Sequence, residues 1–264
     1  MNDGRSIPAL GYGTWRVVDG EAASLVADAI AAGYRHIDTA ALYDNEVGVG
    51  KGIAQAGLDR DELFVTTKLW HNEHKDPAAG LATSLRKLGL DWVDLYLIHW
   101  PVPSLNLFVR AWEGLIELRE QGLARSIGVS NFLPEHLDAL VGTGVVPCIN
   151  QVEVHPSFTN LVVVEGNTQR GVRTESYRPL GGGRDLADPV LTGIASELGA
   201  TPSQVVLAWH LAKGYVAIPK SADPVRRREN LAAQNIQLSL AEVAAIDALD
   251  RDNRQCADPA EFAG

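Results

Sequence analysis

The sequence predicts a closed (β/α)8 barrel, eight parallel strands inside and helices outside, and three observations predict it. Short apolar runs recur along all 264 residues, helical patterns fill the gaps between them, and no linker, repeat or low-complexity stretch divides the chain. Strands alternating regularly with helices assemble as a parallel sheet, and barrels of this kind commonly have about this length. A doubly wound sheet is the alternative. One domain spanning 1–264 is expected.

The runs are LGYGTW (10–15), RHIDT (35–39), LFVTTKL (63–69), DLYLIHW (94–100), SIGVSN (126–131), CINQVEV (148–154), RTESY (173–177) and VAIPKS (216–221). Most are continuously apolar rather than alternating, as strands covered on both faces should be. Between the first two, Ala22, Leu25, Val26, Ala29 and Ile30 form one helical stripe that Gly33 ends. GVGKG (48–52) fails the phosphate-loop pattern, because position 45 is Asn and position 52 is Gly; its glycines imply close packing of a helix starting near Asn45. No G-x-G-x-x-G follows a strand. TPSQ (201–204) and SLAE (239–242) are capping boxes opening two later helices. Residues 159–171, TNLVVVEGNTQRG, should hold the helix between strands six and seven. Three consecutive valines and an internal glycine are poor helix formers, so a frayed, short or irregular element is expected there.

With 46% hydrophobic and 21% charged residues, the composition is that of a soluble globular protein. A formal charge of −10 argues against a nucleic-acid surface. No apolar run is long enough to span a membrane, and the opening MNDGRSIPAL has no signal-peptide character. Cys148 and Cys256 are far apart and outside any metal-ligand spacing, which implies free thiols in a reducing cytoplasm. His71/His74 and Glu153/His155 lack a third ligand in register, so no metal is expected. No exposed apolar stripe stands out, which points to a monomer.

In such a barrel the chemistry lies at the C-terminal ends of the strands. Strand two ends at Asp38 with Tyr43 in the loop after it, strand three at Lys68, and strand four at His99. Any one of these alone is more often structural; together they are chemically complementary. A free phenol has a pKa of about 10, too high for efficient acid work. An ammonium beside it lowers that value, a carboxylate keeps the ammonium charged, and an imidazole can orient a carbonyl and stabilise its developing charge. Tyr43 would then protonate the oxygen of a carbonyl under reduction. Trp15, Trp70 and Trp100 follow strands one, three and four, and are expected to wall an apolar substrate pocket with His99. Trp92, Trp112 and Trp209 are expected to be structural.

GYRHIDTAALYDNEVGVG (33–50), KLW (68–70), HWP (99–101), GVSNF (128–132), NQVEVHP (150–156), ESYRPLG (175–181) and IPKSADPVRRREN (218–230), in this order, make the chain resemble the aldo-keto reductases. It looks closest to the bacterial members that include the 2,5-diketo-D-gluconate reductases. The resemblance implies a catalytic tetrad of Asp38, Tyr43, Lys68 and His99. It implies that Ser130, Asn131 and Gln151 hold the nicotinamide carboxamide and that Tyr177 stacks on the ring. Leu180 and Gly181 would lie near the pyrophosphate. Lys220, Ser221 and Arg226 would bind the 2′-phosphate, with Glu229 and Asn230 near the adenine. Lys, Ser and Arg are suited to a phosphate, so the cofactor is expected to be NADPH. Arg227 and Arg228 are expected to be a solvated helix face. The expected activity is reduction of aldehydes, ketones or dicarbonyls, including keto-sugar acids. A catalytically idle NADPH-binding module on the same fold is the alternative, and the complete tetrad argues against it. A carboxylate hydrolase lacks a pair of strand-end acids.

The resemblance also marks departures. Family members carry an earlier strand that forms a hairpin across the barrel floor; its absence here predicts a more open floor or a misplaced start. The loop after Pro179, LGGGRDLADP, is short, which predicts incomplete closure over the cofactor. Arg178 stands where a small residue is usual, placed either to reach the pyrophosphate or to interfere with it.

Overall fold

The eight strands lie in chain order around one parallel sheet in the computed structural model, which describes residues 1–264. They are β1 (Tyr12–Gly13), β2 (His36–Asp38), β3 (Phe64–Leu69), β4 (Val93–Ile98), β5 (Ala124–Ser130), β6 (Ile149–Glu153), β7 (Arg173–Tyr177) and β8 (Val216–Ala217). A parallel bridge between Leu10 and Ala217 closes the ring, with Gly11 N donating to Ala217 O at 2.9 Å and Ala217 N to Ala9 O at 2.9 Å. The expected barrel is therefore the fold. Every residue of β3 and β4 is buried, as helices on one side and barrel interior on the other require.

Helices α1 (Asp19–Ala31), α2 (Glu46–Ala56), α3 (Pro77–Leu88), α4 (Phe108–Glu120), α5 (Pro134–Val141) and α6 (Leu161–Gln169) each join consecutive strands. Two helices, α7 (Pro189–Leu198) and α8 (Pro202–Ala212), lie between β7 and β8, while α9 (Pro224–Ala232) and α10 (Leu240–Asp247) follow β8. The capping boxes open α8 and α10: Thr201 and Gln204, then Ser239 and Glu242, each exchange side-chain bonds with the other's backbone N–H. The glycines of α2 are packing glycines. A Cβ at Gly50 would lie 2.1 Å from Leu88 O, and one at Gly48 would lie 2.3 Å from Asp19 O.

Of the frayed, short or irregular element expected over 159–171, the structure has the short one: α6 is nine residues long and regular. Tertiary bonds override its poor propensity. Buried Asn167 accepts from Asn150 Nδ2 of β6 at 2.8 Å and donates to Thr174 Oγ1 of β7 at 3.0 Å, riveting the helix to the sheet. Gly166 is where Pro134 of α5 approaches, since a Cβ there would stand 2.8 Å from its ring. The floor is covered in part, with a cleft of about 590 Å³ left between residues 5–8 and Arg35, Leu63, Asp94 and Arg125. Met1 and Ile7 pack on Phe64, Leu95, Leu97, Cys148 and Ile149, and Ser126 Oγ donates to Asp3 Oδ2 at 2.6 Å.

Candidate active site

The C-terminal rim opens into a cleft of about 910 Å³ lined by residues from most of the strand ends. Tyr43 sits on the short turn Ala41–Tyr43 after β2, and this turn brings its phenol back over the strand end. Lys68 Nζ, rising from β3 and fully buried, donates to Asp38 Oδ1 at 2.6 Å, to Thr39 O at 2.9 Å and to Tyr43 Oη at 3.2 Å. All three ammonium hydrogens are thus used. Burial presses the Lys68 pKa down, but Asp38 and Tyr43 outweigh it and the net shift is upward, so the side chain stays charged.

Tyr43 departs from the expectation of a lowered pKa. Burial raises it, and the Lys68 ammonium opposes that rise without overturning it. The phenol therefore keeps its proton at neutral pH, and the ammonium makes it a stronger acid than burial alone would leave. His99, with Tyr43 5.6 Å away centroid to centroid, is held well below the usual imidazole range by burial, with Lys68 adding to the effect. It is a neutral hydrogen-bonding group on the cleft wall.

Asn131 adopts the left-handed conformation, φ 62°, which Asn tolerates well, and this carries its side chain across the rim. Its amide donates to His99 O at 3.1 Å and accepts from Tyr177 Oη at 2.8 Å, tying β4, β5 and β7 together. Ser130 Oγ donates to Gln151 O at 2.8 Å. Gln151 Nε2 is occupied below, by Asp38 Oδ2 at 2.8 Å and Glu175 Oε2 at 2.9 Å. Only its Oε1 is free for a carboxamide.

Trp15, Trp70 and Trp100 all line the cleft. The Trp15 ring lies 4.9 Å from that of Tyr43, and Trp70 lies 5.2 Å from His99. Trp100 stacks on Phe262 at 4.2 Å. Lys220, Ser221, Arg226 and Asn230 line the same cleft, as do Tyr177 and Leu180. Gly181 and Glu229 are not in its wall, whereas Gly182 and Gly183 are. Gly181 is buried and turns its carbonyl to Gln255 Nε2.

Arg227 corrects the reading of a solvated face. It is 2% exposed, donating to Asp28 Oδ2 at 3.0 Å and to Ala222 O at 2.8 Å. Arg228 is exposed. Arg178 lines the cleft at φ 49° and leans on the tail, donating to Gln255 Oε1 at 3.1 Å. Phe262, Cys256, Arg16 and Leu42 also line it and carried no signal in the sequence. The tail reaches the site because Glu153 Oε1 and Oε2 accept from Gln255 N and Cys256 N.

A barrel whose rim combines a buried carboxylate–ammonium pair, a phenol on that ammonium and a large cleft that also carries Lys220 and Arg226 defines a dinucleotide-dependent oxidoreductase of carbonyl groups. Residues 9–251 match the aldo/keto reductase family, and the chain belongs to it. It is 45% identical to the methylglyoxal reductase DkgA of Escherichia coli (strain K12), over 100% of this chain and 97% of the relative. With an aldo-keto reductase of Mycobacterium sp. (strain KMS) it shares 46% identity over 99% of this chain and 96% of that one. A crystal structure of a Gox0644 mutant in complex with NADPH superposes with a TM-score of 0.94 at 44% identity, covering 98% of this chain and 96% of that one.

Proposed function

We propose that the protein reduces small aldehydes, ketones and dicarbonyls with NADPH, 2-oxoaldehydes of the methylglyoxal type foremost, and that Tyr43 donates the proton. The observation that carries this is the Lys68 ammonium bound at once to Asp38 and to the Tyr43 phenol. The methylglyoxal reductase relatives favour the substrate class.

The cleft fits the cofactor. Lys220, Ser221 and Arg226 offer a phosphate two cations and a hydroxyl, Tyr177 offers a ring face, and Gly182 and Gly183 let backbone approach closely. When bound, NADPH supplies the hydride. The chain's own residues do the rest. His99, neutral, donates to the substrate carbonyl oxygen and orients it toward the Tyr43 phenol. Tyr43 passes its proton to that oxygen as negative charge develops, and Lys68 stabilises the phenolate left behind. Asp38 keeps the ammonium charged, while Trp15, Trp70, Trp100 and Phe262 exclude water. Keto-sugar acids are a further candidate class.

We read residues 1–264 as one barrel domain acting as a monomer in the cytoplasm, supported by two free cysteines and by exposed apolar side chains scattered along the chain. The idle-module reading has no observation in its favour. The test is a panel of dicarbonyls followed at the nicotinamide absorbance: substrate-dependent NADPH oxidation is expected, and its absence across the panel would reject the proposal.

A further inference from the structure

Below the rim, the barrel interior holds a second carboxyl that the mechanism above does not use. Glu175 of β7 is fully buried and stands in register with Gln151 of β6. Its Oε2 accepts from Gln151 Nε2 at 2.9 Å, and the same nitrogen serves Asp38 Oδ2 at 2.8 Å. Its Oε1 has no partner. One side-chain amide therefore bridges two buried carboxyls.

The groups around Glu175 decide which of the two carries the charge. From β3, Lys68 has spent its three hydrogens on Asp38, Thr39 and Tyr43 and has none to offer. From β2, His36 Nε2 is 3.8 Å away, bonded to Thr66, and burial lowers its pKa to about 4, so it is neutral. From just before β6, Cys148 is a thiol that burial pushes up and keeps neutral. From β8, the residue in register is apolar Val216. Asp38 has an ammonium at 2.6 Å; Glu175 has no cation bonded to it and an orphaned oxygen, and the Lys68 charge offsets only part of the effect of its burial. An ion left so poorly compensated in a dry interior takes up a proton instead.

We propose that Glu175 is a positioning residue carried as a neutral carboxylic acid under the Asp38–Lys68 pair, and that its ionisation, acting through Gln151 and Asp38, weakens Tyr43 as a proton donor. The proposal rests on Tyr43 being that donor. Its pH range follows from the site: burial, reinforced by Asp38, pushes the Glu175 pKa up to about 8. Below that pH the set holds one carboxylate against one ammonium. Above it, a second negative charge appears beneath them. That charge raises the Tyr43 pKa, so the phenol gives up its proton less readily and carbonyl reduction slows. The bonds on Gln151 transmit a further effect, since its Nε2 gives one hydrogen to each carboxyl and an ionised Glu175 draws on that shared amide more strongly.

The test is single-turnover reduction of methylglyoxal by the NADPH complex between pH 6 and 9.5, for the wild type and for Glu175→Gln, which is neutral at every pH. A shift of about one unit in the donor's pKa, felt at roughly half weight in proton transfer, changes the rate about threefold. The wild-type rate is expected to step down about threefold around pH 8, and the variant-to-wild-type ratio to rise by the same factor, with the NADPH dissociation constant and the substrate KM unmoved. The infrared carbonyl stretch of a neutral carboxylic acid, assigned to glutamate by isotope labelling, is expected in the wild type at pH 7 and lost with a midpoint near 8. This reading needs neither turnover nor a folded variant. The same step in both proteins, or no glutamic-acid band at pH 7, would overturn the proposal. Loss of the Tyr43 role would show separately, as activity surviving in Tyr43→Phe.

Discussion

Lys68 Nζ stands 3.2 Å from the phenol oxygen of Tyr43, a contact between residues that are 25 positions apart in the chain. Register makes the meeting possible: Asp38 pairs with Thr66, so the β2 end stands two residues below Lys68 and the β2 loop folds back over it. The ammonium counters part of the burial that raises the Tyr43 pKa, and Asp38 keeps it charged.

Lys68→Met removes the cation from both partners. Breaking a buried pair by deleting one side costs about 3–5 kcal/mol, and about 2–4 °C in Tm accompanies each kcal/mol in a domain of this size. A Tm drop of roughly 10 °C is expected, together with a kcat loss of about a hundredfold or more, since the phenol loses the group that tunes it. Thermal melts and steady-state kinetics check both.

Arg226 and Lys220 are exposed side chains on the cleft wall. A charge-assisted bond contributes about 1.5–3 kcal/mol. Arg226→Ala is expected to weaken NADPH by about tenfold or more and NADH much less, and to flatten the salt dependence of NADPH binding. Quenching of tryptophan fluorescence reads all three effects.

Phe262 reaches the site from the tail and stacks on Trp100 at 4.2 Å. Phe262→Ala is expected to raise the KM of an aldehyde substrate about three- to tenfold, the worth of an aromatic pair, with little change in NADPH affinity. A KM unchanged in this variant would remove the tail from the substrate pocket.

Much of this site was legible in the sequence, for a physical reason. Asp38, Lys68 and His99 sit at the ends of short apolar strands, and a barrel brings every such end to one rim. The tail was not legible, because Phe262 and Cys256 reach the cleft from an irregular segment with no periodicity, held by backbone bonds to Glu153. Arg227 was misread because its burial depends on Asp28, 199 positions away on α1. The shortness of α6 was legible, but its regularity was not, because propensity does not register Asn167's bonds to two strands. Nor does the sequence show that burial outweighs Lys68 in setting the Tyr43 pKa.

Acid should destabilise the fold through buried imidazoles. Burial lowers His36 and His74 to about 4, His210 to about 3, and His99 well below its usual range. An unfolded chain takes up these protons near pH 6.5 while the folded one does not, so stability is full above about 6.5 and falls as pH drops toward the folded values. Each imidazole contributes up to about 1.4 kcal/mol per pH unit in that window. His155, Glu175, Glu73 and Asp94, whose folded pKa values are raised, oppose this, while His71 and His136, whose values are lowered, add to it. The urea midpoint is expected to be lower at pH 5 than at pH 7, with the slope m unchanged. An equal or higher midpoint at pH 5 would mean that these rings are not buried neutral.

The central claim is that Tyr43 delivers the proton, and Tyr43→Phe tests it most directly by removing one oxygen and leaving the ring between Trp15 and His99. NADPH binding, read by fluorescence, is expected to stay within about twofold of the wild type, while kcat for methylglyoxal falls by about a hundredfold to ten-thousandfold, the range for a lost general acid. Turnover undiminished in a variant that still binds NADPH would contradict the account.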